Sequence, residues 1–172
     1  MTRVINLFGG PGAGKSTIAA GLFYYMKIAG YDAGLASEWI KDKVYEGTKY
    51  PFKDQLYTIA KQNKKIKQMI GKTDYIICDS PLFLSMVYQS EEEPIFTQLV
   101  LDYFNRYDNI NFFIRRHHKY QPTGRIHTEK QSETISIELE ELLIKYNIPY
   151  VPLTSGEALD KILEQLEVKK YV

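Results

Sequence analysis

The sequence predicts a doubly wound α/β fold with a mainly parallel sheet, and three observations predict it. Short apolar runs alternate along the chain with longer segments of helical apolar spacing, the pattern of strands joined by crossover helices. The first run, Val4-Ile5-Asn6-Leu7-Phe8, leads directly into Gly9-Gly10-Pro11-Gly12-Ala13-Gly14-Lys15-Ser16, which fits G-x-x-x-x-G-K-[ST] and is followed by Thr17. The third run, Tyr75-Ile76-Ile77-Cys78, ends in a carboxylate, Asp79. In an open parallel sheet both features fall at the carboxyl ends of strands, where ligands bind.

Taken in order, residues 16–26 read as the first helix, with Ile18, Leu22, Tyr25 and Met26 at helical spacing and Gly30 closing it. A strand, a glycine-rich turn and a helix start are the setting that a phosphate-binding loop needs. Glycines let successive backbone N–H groups turn toward a polyphosphate, and the helix start adds unpaired N–H groups and a positive dipole end. The residues expected on a nucleoside triphosphate are Gly9, Gly10, Pro11, Gly12, Ala13, Gly14, Lys15, Ser16 and Thr17. Lys15 would reach the β- and γ-phosphates, and the Ser16 hydroxyl would bind Mg²⁺.

Residues 32–37 form the second expected strand, ending at Glu38 and followed by Trp39. Residues 47–51 are a loop, and 52–70 a long helix with Leu56, Ile59, Ala60, Ile66, Met69 and Ile70 facing inward. Its outer face carries Lys53, Lys61, Lys64, Lys65 and Lys67, which reads as solvated surface or as a basic docking face. Asp79 caps the third strand, where it would hold Mg²⁺ or its waters, or simply cap the next helix. The chain between the glycine loop and Asp79 is long enough to return the third strand beside the first. Residues 82–89 and 94–107 read as helices, and 111–114 as the fourth strand. Residues 115–125 are polar, basic and broken by Pro122 and Gly124, an excursion from the compact body. Helix returns at 132–146, with Ile135, Leu139, Leu142 and Leu143 inward. Residues 150–153 are a last strand that Pro152 places at the sheet edge. Ser155 is expected to cap the final helix, whose inward residues are Leu159, Ile162, Leu163 and Leu166.

Bulk properties narrow the setting. At 172 residues one domain, 1–172, is expected. A net charge of +1 neither demands nor excludes a nucleic-acid partner. The single cysteine, Cys78, suits a reducing cytoplasm, and no apolar run approaches membrane-spanning length, so a cytoplasmic protein without a membrane partner is expected.

Phosphoryl transfer needs positioning, a metal, positive charge on the moving phosphoryl group, and a group that orients or deprotonates the nucleophile. Lys15, Ser16 and Asp79 supply the fixed site, Ser16 and Asp79 being the metal-binding pair. Arg115, Arg116 and Arg125 are placed for a lid over residues 115–131, since guanidinium groups stay charged and grip phosphate in a bidentate way. His117 and His118 read as lid surface. Glu38 would accept the proton of a hydroxyl acceptor; with a phosphate acceptor it would bind the acceptor sugar or the magnesium waters instead, and its remaining reading is a helix cap. Trp39, Tyr45, Phe52, Tyr57 and Gln62 share the segments that would form the acceptor pocket with Glu38, and as a group they suit a planar acceptor.

The combination of Gly9–Ser16, Glu38, Asp79-Ser80-Pro81 and the Arg115…Tyr120…Gly124-Arg125 segment resembles the small P-loop nucleoside and nucleotide kinases. Within that group it is similar to the ribosylnicotinamide-kinase-like proteins often labelled AAA-family ATPases, many of them encoded by bacteriophages. The resemblance implies a P-loop NTPase fold with a five-stranded sheet in order 2-3-1-4-5, ATP with Mg²⁺ as donor and an arginine-bearing lid. It also implies a nucleoside or nucleotide as acceptor, leaves a homodimer open, and sets a phage-encoded member in the host cytoplasm. One departure stands out: many deoxynucleoside and thymidylate kinases carry Asp/Glu-Arg at the third strand end, whereas this chain has Asp79-Ser80. Relatives of the phage type include kinases acting on 5-hydroxymethyluracil in DNA, so modified DNA is the alternative acceptor. A nucleotide-dependent switch or remodelling ATPase is the reading from another class. The cis position of the arginines, and the lack of a ring-forming helical domain after the sheet, weigh against it.

Overall fold

The computed structural model describes residues 1–39, 54–89, 93–121 and 127–169. The apolar runs form β1 (Arg3–Phe8), β2 (Ala33–Ala36), β3 (Tyr75–Cys78), β4 (Asp108–Arg115) and β5 (Val151–Thr154). Between and after them lie α1 (Lys15–Ile28), α2 (Gln55–Lys67), a 3₁₀ helix (Leu82–Met86), α3 (Pro94–Phe104), α4 (Glu129–Lys145) and α5 (Ala158–Gln165). All pairings are parallel and the strand order is β2-β3-β1-β4-β5, as the sequence resemblance implies. β1 is central, with Ile5 opposite Ile77 on one side and Ile110 on the other. The carboxyl ends of β1, β2 and β3 therefore lie side by side, which brings the glycine loop, Glu38 and Asp79 to one edge of the sheet.

Strand alternation divides the core in two. Val4 and Phe8 point to the face covered by Ile59 and Ile66 of α2, Phe83 of the 3₁₀ helix, Val100 and Phe104 of α3, and Leu139 and Leu143 of α4. Ile5 and Leu7 point to the face covered by Ile18, Leu22 and Met26 of α1 and by Ala158, Ile162 and Leu163 of α5. Burial on both faces explains why β1 and β3 read as continuous apolar runs.

One buried position breaks that rule. Asn6 donates to Asn109 Oδ1 (2.8 Å) and Asn111 Oδ1 (2.9 Å). Asn109 in turn donates to Phe104 O and Tyr107 O, and Asn111 to Pro149 O. The three amides bind the centre of the sheet to the end of α3 and the lead-in to β5. Asn6→Ala leaves two acceptors without their donor, and the expected loss of stability is about 1–3 kcal/mol in urea unfolding. No change in the unfolding midpoint would show that water replaces the amide at no cost.

Four sequence expectations shift. In α2 the buried stripe is Gln55, Ile59, Gln62 and Ile66, whereas Leu56 is 60% exposed and Ala60 and Ile70 also face solvent. The Asp54 side chain caps the helix at Tyr57 N, and the stripe runs through two glutamines that an apolar count passes over. Of the expected helix 82–89 only Leu82–Met86 is helical, a short 3₁₀ segment that is buried throughout, in which the Ser85 hydroxyl bonds back to Leu82 O (2.6 Å). β4 begins at Asp108, before the expected 111, because its first half carries the asparagine network. Ser155 does not cap α5; the N-cap is Glu157, whose carboxylate accepts from Thr154 N (2.9 Å).

Candidate functional site

The glycine stretch leaves β1 and turns into α1 with positive φ at Gly9 (136°), Gly12 (78°) and Gly14 (95°). Gly9 also passes so close to β4 that a Cβ on it would lie 2.5 Å from Ile114 O. A side chain there meets both a disfavoured backbone angle and a backbone atom that cannot give way. Lys15 begins α1, and its Nζ donates to Gly9 O (2.7 Å) and Gly10 O (3.0 Å), which places the ammonium across the loop. The helix N-terminus adds its unpaired N–H groups beside it.

Asp79 follows β3 and is 5% exposed. Its Oδ1 is buried with no hydrogen-bond partner among the described residues. A buried carboxylate oxygen with nothing donating to it is a costly arrangement and fits a site that meets a cation or its waters. Ser16 and Asp79 offer oxygen donors, the ligand type that Mg²⁺ takes. The residues present therefore fit the metal. Cys78, just before Asp79, is fully buried, and burial pushes its thiol up to about 12.

Glu38 stands half-buried at the end of β2. The residues around it are held from below by Gln62, which is 4% exposed and donates to Ala36 O (3.2 Å) while accepting from Trp39 N (3.2 Å). Gln62 thus braces the strand end on either side of Glu38, and its amide is committed to that task. Trp39 and Tyr57 are brought together edge to face at 5.2 Å, and Lys61 Nζ lies 4.9 Å over the Tyr57 ring. Tyr45 and Phe52 lie outside the described residues.

The arginines face the helix after the expected lid. Arg115 is the last residue of β4 and pairs with Glu140 at 2.6 Å; Glu140 also accepts from the Tyr150 hydroxyl (2.9 Å). Arg116 Nη2 pairs with Glu129 (3.0 Å) and Glu133 (2.9 Å). Its guanidinium lies 5.0 Å over Tyr120, whose hydroxyl bonds to His127 O. Arg116 Nη1 is buried with no hydrogen-bond partner among the described residues. Of the expected lid, 115–131, the two ends belong to β4 and α4, and Arg125 lies outside the described residues.

Three contacts around the site had no sequence signal. The Ser132 hydroxyl of α4 donates to Pro11 O. His118 Nδ1 and His117 N both meet Ser155 Oγ at 3.0 Å, and a Cβ on Gly14 would lie 3.4 Å from His118 Cε1, so the His118 ring sits at the start of α1. The rings of Tyr88 and His127 lie tilted with centroids 6.1 Å apart; burial, and after it the charge of Glu38, push the Tyr88 phenol up, which places Tyr88 on the Glu38 side of the site.

A family model described as an AAA domain matches residues 4–161. No curated protein matches the chain in sequence. Among solved structures, the chain is similar to thymidylate kinase from Ehrlichia chaffeensis, with a TM-score of 0.66 at 16% identity over 96% of this chain and 98% of that one. It is similar to deoxyadenosine kinase from M. mycoides with bound dATP, with a TM-score of 0.53 at 22% identity over 95% and 99% of the two chains. It also resembles a NadR protein in complex with NR, with a TM-score of 0.62 at 16% identity; the match covers 99% of this chain and 53% of that one. At these identities the likeness is one of fold.

Proposed function

The chain belongs to this AAA-domain family, and on that premise we propose that it is an ATP-dependent phosphotransferase, moving the γ-phosphate of ATP to a hydroxyl or monophosphate of a nucleoside or nucleotide. The observation that carries the reading is the buried Asp79 Oδ1, without a hydrogen-bond partner among the described residues, at the strand end beside the one that feeds the glycine loop. Loop N–H groups and the α1 terminus hold the triphosphate. Lys15 exchanges its carbonyl partners for phosphate oxygens, where its charge offsets charge that spreads in transfer. Mg²⁺, held by Ser16 and Asp79, supplies further charge neutralisation on the phosphates when bound. Arg116, and Arg125 beyond it, bring positive charge toward the transferring group, which requires Arg116 to leave Glu129 and Glu133. Glu38 accepts the proton of a hydroxyl acceptor, and Trp39 and Tyr57 offer aromatic surface to a base.

Nucleoside and nucleotide kinases among the fold neighbours support that acceptor class. Modified DNA is the second reading, favoured by exposed Lys64 and Lys67 beside a groove they line with Ala60, Asn63 and Gln68. Incubation with γ-labelled ATP and a panel of nucleosides, monophosphates, and plain or 5-hydroxymethyluracil DNA separates the two. Label in a small molecule is expected; label in DNA selects the second reading, and label only in free phosphate contradicts both in favour of a switch or ATPase.

Glu38→Gln tests the base. With a hydroxyl acceptor, turnover is expected to fall by about 10²-fold or more. A near-normal rate would make Glu38 a structural cap.

A further inference from the structure

A glycine-rich loop is conformationally free, so a loop that must present its N–H groups in a fixed array needs support from outside itself. Here the support is the first two turns of α4. Ser132, 4% exposed, donates its hydroxyl to Pro11 O. Its backbone carbonyl lies where a Cβ on Gly10 would come within 2.5 Å, and the same Cβ would lie 3.1 Å from Ser136 Cβ, so helix and loop are in direct contact. The supporting turns are themselves fixed. Thr128 and Gln131 form a capping box, which holds the start of α4 whether or not Arg116 stays on Glu129 and Glu133.

We propose that Ser132 is a positioning residue for the phosphate loop, its hydroxyl setting the loop's curvature through Pro11 O. This rests on the reading that the loop binds a nucleoside triphosphate. Without the hydrogen bond, the loop samples conformations that do not fit the phosphates, and part of the binding energy goes into ordering it.

The test is ADP and ATP·Mg²⁺ binding by calorimetry for wild type, Ser132→Ala and Ser132→Cys, with KM for each substrate and kcat. Cysteine keeps an atom beyond Cβ, somewhat larger than the serine oxygen, but is a weak donor, so it fills the site without restoring the hydrogen bond. In both variants the Kd and KM for ATP are expected to rise about three- to tenfold, the scale of one hydrogen bond, with acceptor KM and saturated kcat within about twofold. Unchanged ATP affinity in Ser132→Ala overturns the proposal, as does loss in Ser132→Ala with normal affinity in Ser132→Cys. Failure of the wild-type protein to bind ATP or ADP overturns the triphosphate reading itself, and this proposal with it.

Discussion

Lys15→Ala is expected to abolish phosphoryl transfer, by about 10³-fold or more, while leaving the fold intact. The ammonium lies across the loop on Gly9 O and Gly10 O, within reach of any phosphate that the loop N–H groups hold. Transfer spreads negative charge over the phosphoryl oxygens, and a fixed positive charge beside them acts on the transition state more than on bound ATP. The fold gives no reason for collapse. Lys15 is the first residue of α1, and alanine is the best helix former. Turnover, circular dichroism and the thermal midpoint on the same sample check the prediction. Transfer within about tenfold of wild type would remove Lys15 from the phosphate site.

Asp79→Asn should separate activity from stability. Turnover is expected to fall by about 10²-fold or more, because the amide keeps the shape but not the charge facing the metal. Stability is expected to stay level or rise, because Oδ1 is buried with no donor among the described residues and its charge is costly to hold there. Measured together, a fall in turnover that rising Mg²⁺ partly restores, with an unchanged or higher melting midpoint, marks a carboxylate kept for function. Lower stability with normal turnover would mark Asp79 as a structural cap.

The parts legible in the sequence are those whose cause is local. The phosphate loop sits in nine consecutive residues, Gly9 to Thr17, and the strand-end carboxylates Glu38 and Asp79 follow from short runs. The fivefold parallel order came with the family resemblance, and the pairing of β1 with β3 and β4 agrees with it. Buried polar residues misled the periodicity: Gln62 in α2 and Asn111 in β4 occupy core positions because each meets a partner from another segment. Ser155 carried a cap signal but bonds to the His117–His118 segment 37 and 38 residues away. Ser132 meets Pro11 across 121 residues, and Arg115 and Arg116 meet carboxylates that only the docking of α4 brings near. Such pairings depend on tertiary arrangement, and no local pattern encodes them.

In a phosphotransferase the γ-phosphate passes to an acceptor and not to water. A single-turnover experiment with the protein in excess over γ-labelled ATP, run with and without the preferred acceptor from the panel, distinguishes the two fates. Label is expected to appear on the acceptor faster than as free phosphate, and to slow sharply when the acceptor is withheld. Label released only as free phosphate, at one rate with or without acceptor, would contradict transfer to an acceptor.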